Sequence, residues 1–341
     1  MKFFRTFFRR FAFDLGSDAT RIWVEDQGVV LEEPTCLVLS QSGEVLATGT
    51  EAVEIAGRQN REVQVVWPIQ AGGVVDEAAL LALLKVWLRP YFKPSFLLQP
   101  TVLVAVPAES TVANRALIRS IFEKLGAVEV ITIAQPLAAA IGIGVHTADA
   151  TGSFYFHLGH GLVEAGVVSL GSIMVSHQSQ LAGQLLAEQM RLQLQNEYDL
   201  LVDDAIVAKL KQKVFSFIPD SERKIMVTGK SAETQRPVET EVTAAHFSPV
   251  ATLFLSEYVE LLYQVLQDSV PALLVDSLDK GLLLSGGLAQ LHGLDRALAN
   301  EFKMPVSVVE DPALAVIQGQ GQVMNHLAEF RQSLSYHTEQ V

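Results

Sequence analysis

Three short glycine-bearing runs hold the side chains with the most chemical scope in this chain: Asp14-Leu15-Gly16-Ser17, His157-Leu158-Gly159-His160-Gly161 and Ser285-Gly286-Gly287. Glycine at a turn adopts backbone angles closed to other residues and lets an anion reach main-chain N–H groups. A carboxylate or hydroxyl at the rim suits a hard cation or a phosphate oxygen. Such a turn alone is weak evidence for phosphate binding. The two histidines leave three readings open: a transition-metal site, imidazolium contacts to phosphate, or ordinary turn and core residues. There is no CxxC or HExxH spacing, and the single cysteine, Cys36, allows no intramolecular disulfide.

The first eleven residues offer a different chemistry. In MKFFRTFFRRF, Phe3, Phe4, Phe7, Phe8 and Phe11 fall within roughly 140° at about 100° per residue, and Lys2, Arg5, Arg9 and Arg10 lie opposite. Aromatic rings at a headgroup boundary, with cations facing anionic lipid, make an interfacial anchor. The alternatives are an arm packed on the chain's own core or a frayed tail. FDLGSDAT, which follows, supplies neither a long apolar stretch nor a small-residue cleavage site, so a secretory signal is not expected.

These runs must be positioned by a chain of 341 residues, long enough for two lobes with a cleft between them. A composition 49% hydrophobic and 18% charged is that of a folded, self-associating protein. The net charge of -13 opposes general nucleic-acid binding, which needs clustered Lys and Arg. No apolar run of about 18 residues spans a bilayer.

Alternating β-rich runs and turn signals predict consecutive antiparallel strands from Phe11, the first covering residues 11–15. TCLVLS, GEVLATG and VQVVWPI continue the β pattern. Asp76 opens a helix over EAALLALLKVWLRPYF; PTVLVAVPA is a buried strand; Ser110 or Thr111 caps a helix closed near Gly126, and VEVITIAQ is another strand. Strand, helix, strand implies a parallel sheet. The second half repeats this grammar with SFYFHLG, LVEAGVVSLG and SIMVSHQSQL. A helical block, the β-rich KIMVTGK and RPVETEV, and one long helix from Ser248 to Val270 lead to strand KGLLLSGG, a helix, strand PVSVVED and a last helix from Pro312 or Ala313.

The order strand–DLG turn–strand, strand–HLGHG turn–strand, then LSGG before a helix resembles the actin, sugar-kinase and heat-shock chaperone ATPase superfamily. More closely, FDLGSDATRIWVEDQGVVLEEP, WPIQAGGVVDEAA, AQPLAAAIGIGV and EDPALAVIQGQG resemble stretches of the MreB-type bacterial actins, from Ala12 to Gly321. The resemblance implies an α/β actin-like fold of two lobes, each a mixed sheet flanked by helices, with a nucleotide cleft between them. A membrane-binding segment would cover residues 1–11. Lobe I would cover 12–148 and 313–341, with a small subdomain about 33–66; lobe II would cover 149–312, with a small subdomain about 184–244.

It also implies site roles. Backbone at Gly16, Ser17, Gly159 and Gly161 would grip phosphates, Asp14 would order a water or the Mg²⁺ hydration shell, and Gln135 would stand where a catalytic Glu positions the attacking water. Gly183, Gln184, Lys211, Ser285, Gly286 and Gly287 would hold the nucleoside of ATP. Departures are concentrated in the second turn, where His157 replaces an Asp, His160 a Gly, and Leu162 and Val163 hydroxyl residues. Ala19 replaces an Asn, Gln184 an Asp, Leu288 a third glycine, and Phe215 stands at a glycine position. The implied protein is a filament-forming cytoskeletal scaffold for cell-wall elongation and cell shape, with weak or absent ATP hydrolysis. It would lie on the inner face of the cytoplasmic membrane, with itself, an MreB paralogue and elongation proteins as partners. The other readings are a slow Mg-ATPase of the same fold and a non-polymerising membrane adaptor.

Overall fold

The computed structural model describes residues 9–57, 63–91, 100–145 and 150–336, with side chains to Arg331. Contacts divide the chain into two compact units: Met1–Asp149 with Leu170–Ile173 and Ala313–Val341, and Ala150–Ser169 with Met174–Pro312.

The first unit opens with β1 (Arg10–Leu15), β2 (Ala19–Val24) and β3 (Gly28–Pro34), three consecutive antiparallel strands. A small three-stranded sheet follows, from β4 (Leu37–Ser40), β5 (Val45–Thr48) and β6 (Val63–Val66), with helix α1 (Thr50–Ala56) beside it. Cys36, Val38, Ala47 and Ala52 form its private core, and burial pushes the Cys36 thiol up to about 11. The short pair β7 (Ile69–Gln70) and β8 (Gly73–Val74) leads to α2 (Glu77–Leu88), whose cap Asp76 accepts from Ala79 N at 2.9 Å. Then come β9 (Thr101–Val106), α3 (Val112–Lys124), β10 (Glu129–Ala134) and α4 (Gln135–Gly142), with β9 and β10 paired in parallel. β9 pairs in parallel with β1, giving the order β10-β9-β1-β2-β3. Leu80, Leu83, Leu84, Ile121 and Phe122 cover the sheet.

The second unit repeats the plan. β11 (Ser153–Leu158), β12 (Val163–Ser169) and β13 (Ser172–Ser179) are followed by α5 (Gly183–Tyr198), β14 (Leu200–Leu201), α6 (Asp204–Lys213), β15 (Lys224–Ser231) and β16 (Pro237–Thr243). The last strands form a separate three-stranded sheet. Then come α7 (Ser248–Asp268), α8 (Pro271–Lys280), β17 (Leu282–Ser285), α9 (Leu294–Phe302) and β18 (Val306–Val308), and the main sheet is ordered β13-β12-β11-β17-β18. β11 and β12 are buried along their whole length, as strands covered on both faces must be. The expected helix from Ser248 to Val270 ends at Asp268. Pro271, which cannot donate to a continuing helix, starts α8, an element missing from the sequence reading.

The chain returns to the first unit with α10 (Ala315–Asn325) and α11 (Leu327–Tyr336). Gln320, wholly buried, donates to Phe13 O at 2.9 Å and Leu103 O at 3.3 Å, tying α10 to β1 and β9.

The N-terminal segment needs shortening. Arg10 and Phe11 open β1: Phe11 is buried and stacks on Phe13 at 6.5 Å, while Arg10 donates to Met324 O at 2.8 Å and pairs with Glu25 at 3.7 Å. Phe11 is therefore not available to a lipid face, and Arg10 is engaged within the fold. Lys2, Phe3, Phe4, Arg5, Phe7 and Phe8 lie outside the described residues, and Arg9 directly precedes the strand.

Helices α4 and α10 approach so closely that a Cβ on Gly319 would stand 1.8 Å from Ala138 O. Gly→Ala in a helix normally gains about 1 kcal/mol. Here the sign reverses: Gly319→Ala should cost about 2 kcal/mol or more by overpacking, read as a lower urea midpoint. Gly287→Ala, whose Cβ would meet nothing within 4 Å, should leave the midpoint unchanged.

Candidate functional site

The first turn joins β1 to β2. Gly16 N donates to Ala19 O at 3.1 Å, and a Cβ on Gly16 would stand 2.6 Å from that oxygen, so no larger residue closes this turn. Thr35 Oγ1 donates to Gly16 O at 2.6 Å and lies 2.9 Å from Thr20 Oγ1. Thr35 was missed by sequence reasoning, although it ends the LEEPT run; its buried hydroxyl clamps the turn from behind.

Asp14, 6% exposed, faces Arg21 across β1 and β2, and Arg21 faces Glu32 across β2 and β3. One Arg21 amino nitrogen stands 3.4 Å from Asp14 Oδ2, while Nε and the other amino nitrogen reach Glu32 at 2.9 and 2.8 Å. Arg21 was also missed; only a cation at the residue opposite Asp14 in a hairpin register would have revealed it. Burial raises the Asp14 pKa above its ordinary value, with the guanidinium opposing and Glu32 adding slightly to the rise.

The second turn, between β11 and β12, is built alike. Gly159 N donates to Leu162 O at 3.0 Å, and a Cβ on Gly159 would stand 2.6 Å from it. His157 occupies the position of Asp14 and Glu164 that of Arg21, so the acid and the base have changed strands. His157 Nδ1 lies 3.0 Å from Ser285 Oγ, its parallel neighbour on β17, and Glu164 is wholly buried. The carbonyls of Gly159 and His160 accept from Gly183 N at 3.2 Å and Gln184 N at 2.7 Å, docking the turn on the first residues of α5. His160 Nδ1 stands 3.2 Å from the Cβ position of Gly183, so its ring covers that glycine.

Most of the other expected residues gather at these two places. Asp14 pairs with Ala105 and Ala105 with Ile133, so Asp14 and half-buried Gln135, first residue of α4, share the carboxyl edge of one sheet. In the second unit Lys211 Nζ donates to Gly183 O at 3.5 Å, and Gln184 is exposed. Gly286 has φ of 86° and a Cβ there would stand 2.4 Å from Leu158 O; Gly287 faces open space. Phe215 is enclosed, edge-on to Phe217 at 5.2 Å, and presents no face for stacking on a base.

Each hairpin is closed by a glycine N–H to carbonyl bond that leaves no room for a Cβ. A hydrated Mg²⁺ does not fit these rims: one carboxylate is engaged by a guanidinium and the other is an imidazole, while Mg²⁺ takes oxygen ligands. Among the described residues no group of three or more His, Cys, Asp or Glu is placed to hold a metal ion, and no helix is long and apolar enough to cross a membrane.

Two sheets of one strand order, each opened by such a hairpin, are the plan of the actin-like fold, and the family described as MreB/Mbl protein matches residues 8–332. The chain belongs to the MreB/Mbl family. It is 31% identical to the cell shape-determining protein MreB of Escherichia coli, covering 95% of each chain. It is 29% identical to the cell shape-determining protein Mbl of Bacillus subtilis, covering 94% of this chain and 97% of that one. Among solved structures, MreB 5 of Spiroplasma citri bound to AMPPNP superposes with a TM-score of 0.90 at 23% identity, covering 95% and 98%. The MamK double helical filament gives 0.76 at 16% identity, covering 94% and 99%. These likenesses establish the actin-like fold of this MreB/Mbl member.

The raised Asp14 pKa has a stability consequence. A carboxyl group whose pKa is higher folded than unfolded favours folding below the ordinary value of 3.8, and that contribution is lost as pH rises through the raised value. Asp14→Asn should therefore raise Tm at pH 7, and the gain should shrink as pH falls toward 4. Melting curves of both proteins across that range check it.

Proposed function

We propose that this chain is a cell shape-determining cytoskeletal protein. It polymerises, with itself or with an MreB paralogue, into actin-type filaments on the cytoplasmic face of an anionic membrane, where it organises wall-elongation proteins. ATP is a weakly held structural ligand, gripped by backbone at Gly16, Ser17, Gly159 and Gly161, with its nucleoside toward Gly183, Gln184, Lys211 and the Ser285–Gly287 loop. Hydrolysis is slow or absent.

One observation favours scaffold over hydrolase. Both glycine hairpins, to which this reading assigns the phosphates, are closed with the same 2.6 Å exclusion of a Cβ, yet both rim positions that would face a metal are engaged, Asp14 by Arg21 and His157 by Ser285. Gln135 orients water but takes no proton from it at neutral pH. The names of the shape-determining relatives and the MamK filament support assembly.

Purified protein should show no ATP turnover above background, on lipid or off it. His157→Asp, His160→Gly and Leu162→Thr together should tighten Mg-ATP binding, whereas single reversions should not, because each donor acts only on a phosphate already held by the others. Robust Mg²⁺-dependent turnover abolished by Asp14→Ala would establish the slow ATPase instead.

Residues 1–9 combine phenylalanine with three basic side chains, and a surface held by both apolar area and charge is sensitive to loss of either. The protein should co-sediment with anionic liposomes and form filaments on them under the electron microscope. Phe4→Glu with Phe7→Glu should release it, as should high salt. Lipid binding without filaments would favour the adaptor reading, and equal sedimentation of the double variant would remove the N-terminal anchor.

A further inference from the structure

The Asp14–Arg21–Glu32 row has no counterpart in what a metal-dependent phosphate turn needs. Strand register places the three side chains side by side on β1, β2 and β3. The Arg21 guanidinium is held from both directions: by Glu32 through Nε and one amino nitrogen at 2.9 and 2.8 Å, and by Asp14 through the other at 3.4 Å. Only 14% of the Arg21 side chain and 9% of Asp14 is exposed, so this cation is weakly screened and has one place to be.

That placement acts on two kinds of ligand in opposite directions. A hydrated divalent cation uses a carboxylate at this position as an acceptor for its water shell. To do so here, it would have to sit close to a fixed guanidinium that already engages Asp14 Oδ2, and like charges at that range repel. A polyphosphate arriving at Gly16 and Ser17 without metal would ordinarily be repelled by carboxylates at this rim; Arg21, shared between Asp14 and Glu32, lowers the charge it meets from two negative to one. The matching position of the second unit gives the same answer, since His157 is an imidazole whose Nδ1 faces Ser285 Oγ at 3.0 Å.

We propose that this chain binds nucleoside polyphosphate as the metal-free anion, with Arg21 as a built-in counter-cation that makes the first turn indifferent to Mg²⁺. The proposal rests on the nucleotide reading above and makes Arg21 the residue that sets cation dependence.

The test is calorimetric titration of the full chain with ATP and with ADP, each in excess EDTA and in excess Mg²⁺. The unmodified protein should give affinities within about threefold of each other in the two conditions. Arg21→Leu exposes the phosphate to an uncompensated Asp14, so its affinity in EDTA should fall about tenfold or more and be recovered by Mg²⁺. If the unmodified chain loses tenfold or more on chelation, the proposal is wrong and the nucleotide reading stands. If Arg21→Leu stays indifferent to Mg²⁺, Arg21 does not set the cation dependence. Absence of binding in both conditions overturns the nucleotide reading together with the proposal. The unmodified chain decides the central claim even if Arg21→Leu does not fold.

Discussion

At both hairpins a main-chain carbonyl occupies the space where any other residue would carry its Cβ. Gly16 meets Ala19 O and Gly159 meets Leu162 O at the same 2.6 Å, and a Cβ at either would force the turn open and break the N–H to carbonyl bond that closes it. Much else follows from keeping those turns closed. Their flanking strands run in unbroken register up to the turn, which is why the residue two before each glycine stands directly opposite the residue five after it. In the first unit Thr35 reaches in to hold the turn's carbonyl, and in the second the leading residues of α5 donate to it. The turn is therefore a backbone object, and the side chains around its rim can change chemistry without changing its shape.

The two rims show how far that freedom extends. The same cross-strand step carries an acid and then a base in one unit, and a base and then an acid in the other. Buried pairs of this kind contribute little net stability, because desolvation takes back much of what attraction supplies. Their consequence is selective instead: they decide which charges a ligand meets when it reaches an otherwise unaltered cradle.

Much of this was open to reading from sequence because it depends on short-range pattern. Alternation and turn residues announced β1 to β3 and β11 to β13, Asp76 and Thr111 announced their helices, and the glycines announced both hairpins. What stayed hidden depends on register or on distant contact. Arg21 and Glu164 become meaningful only once the hairpin is in register with Asp14 and His157. Thr35 acts on a residue nineteen positions away, and the docking of α5 on the second turn has no local signature. Phe11 misled for the opposite reason: its helical periodicity with the preceding phenylalanines and its strand alternation with Phe13 are both real, and burial against the core decides between them. The α8 helix was passed over between a helix read to Val270 and a strand read from Lys280, and Pro271 at its first position is the local signal for it.

The side chain of Gln320 bonds two strands that lie more than two hundred residues before it, at Phe13 and Leu103. On a ribosome, β1 emerges well before its covering helix α10, Phe13 and Gln320 being 307 residues apart. The second unit, continuous in sequence apart from one brief excursion, has all its parts earlier. Vectorial synthesis thus lets the later-encoded unit finish first, while the earlier-encoded sheet, its Phe13 already packed on Phe122 of α3, waits for α10 to cover its other side.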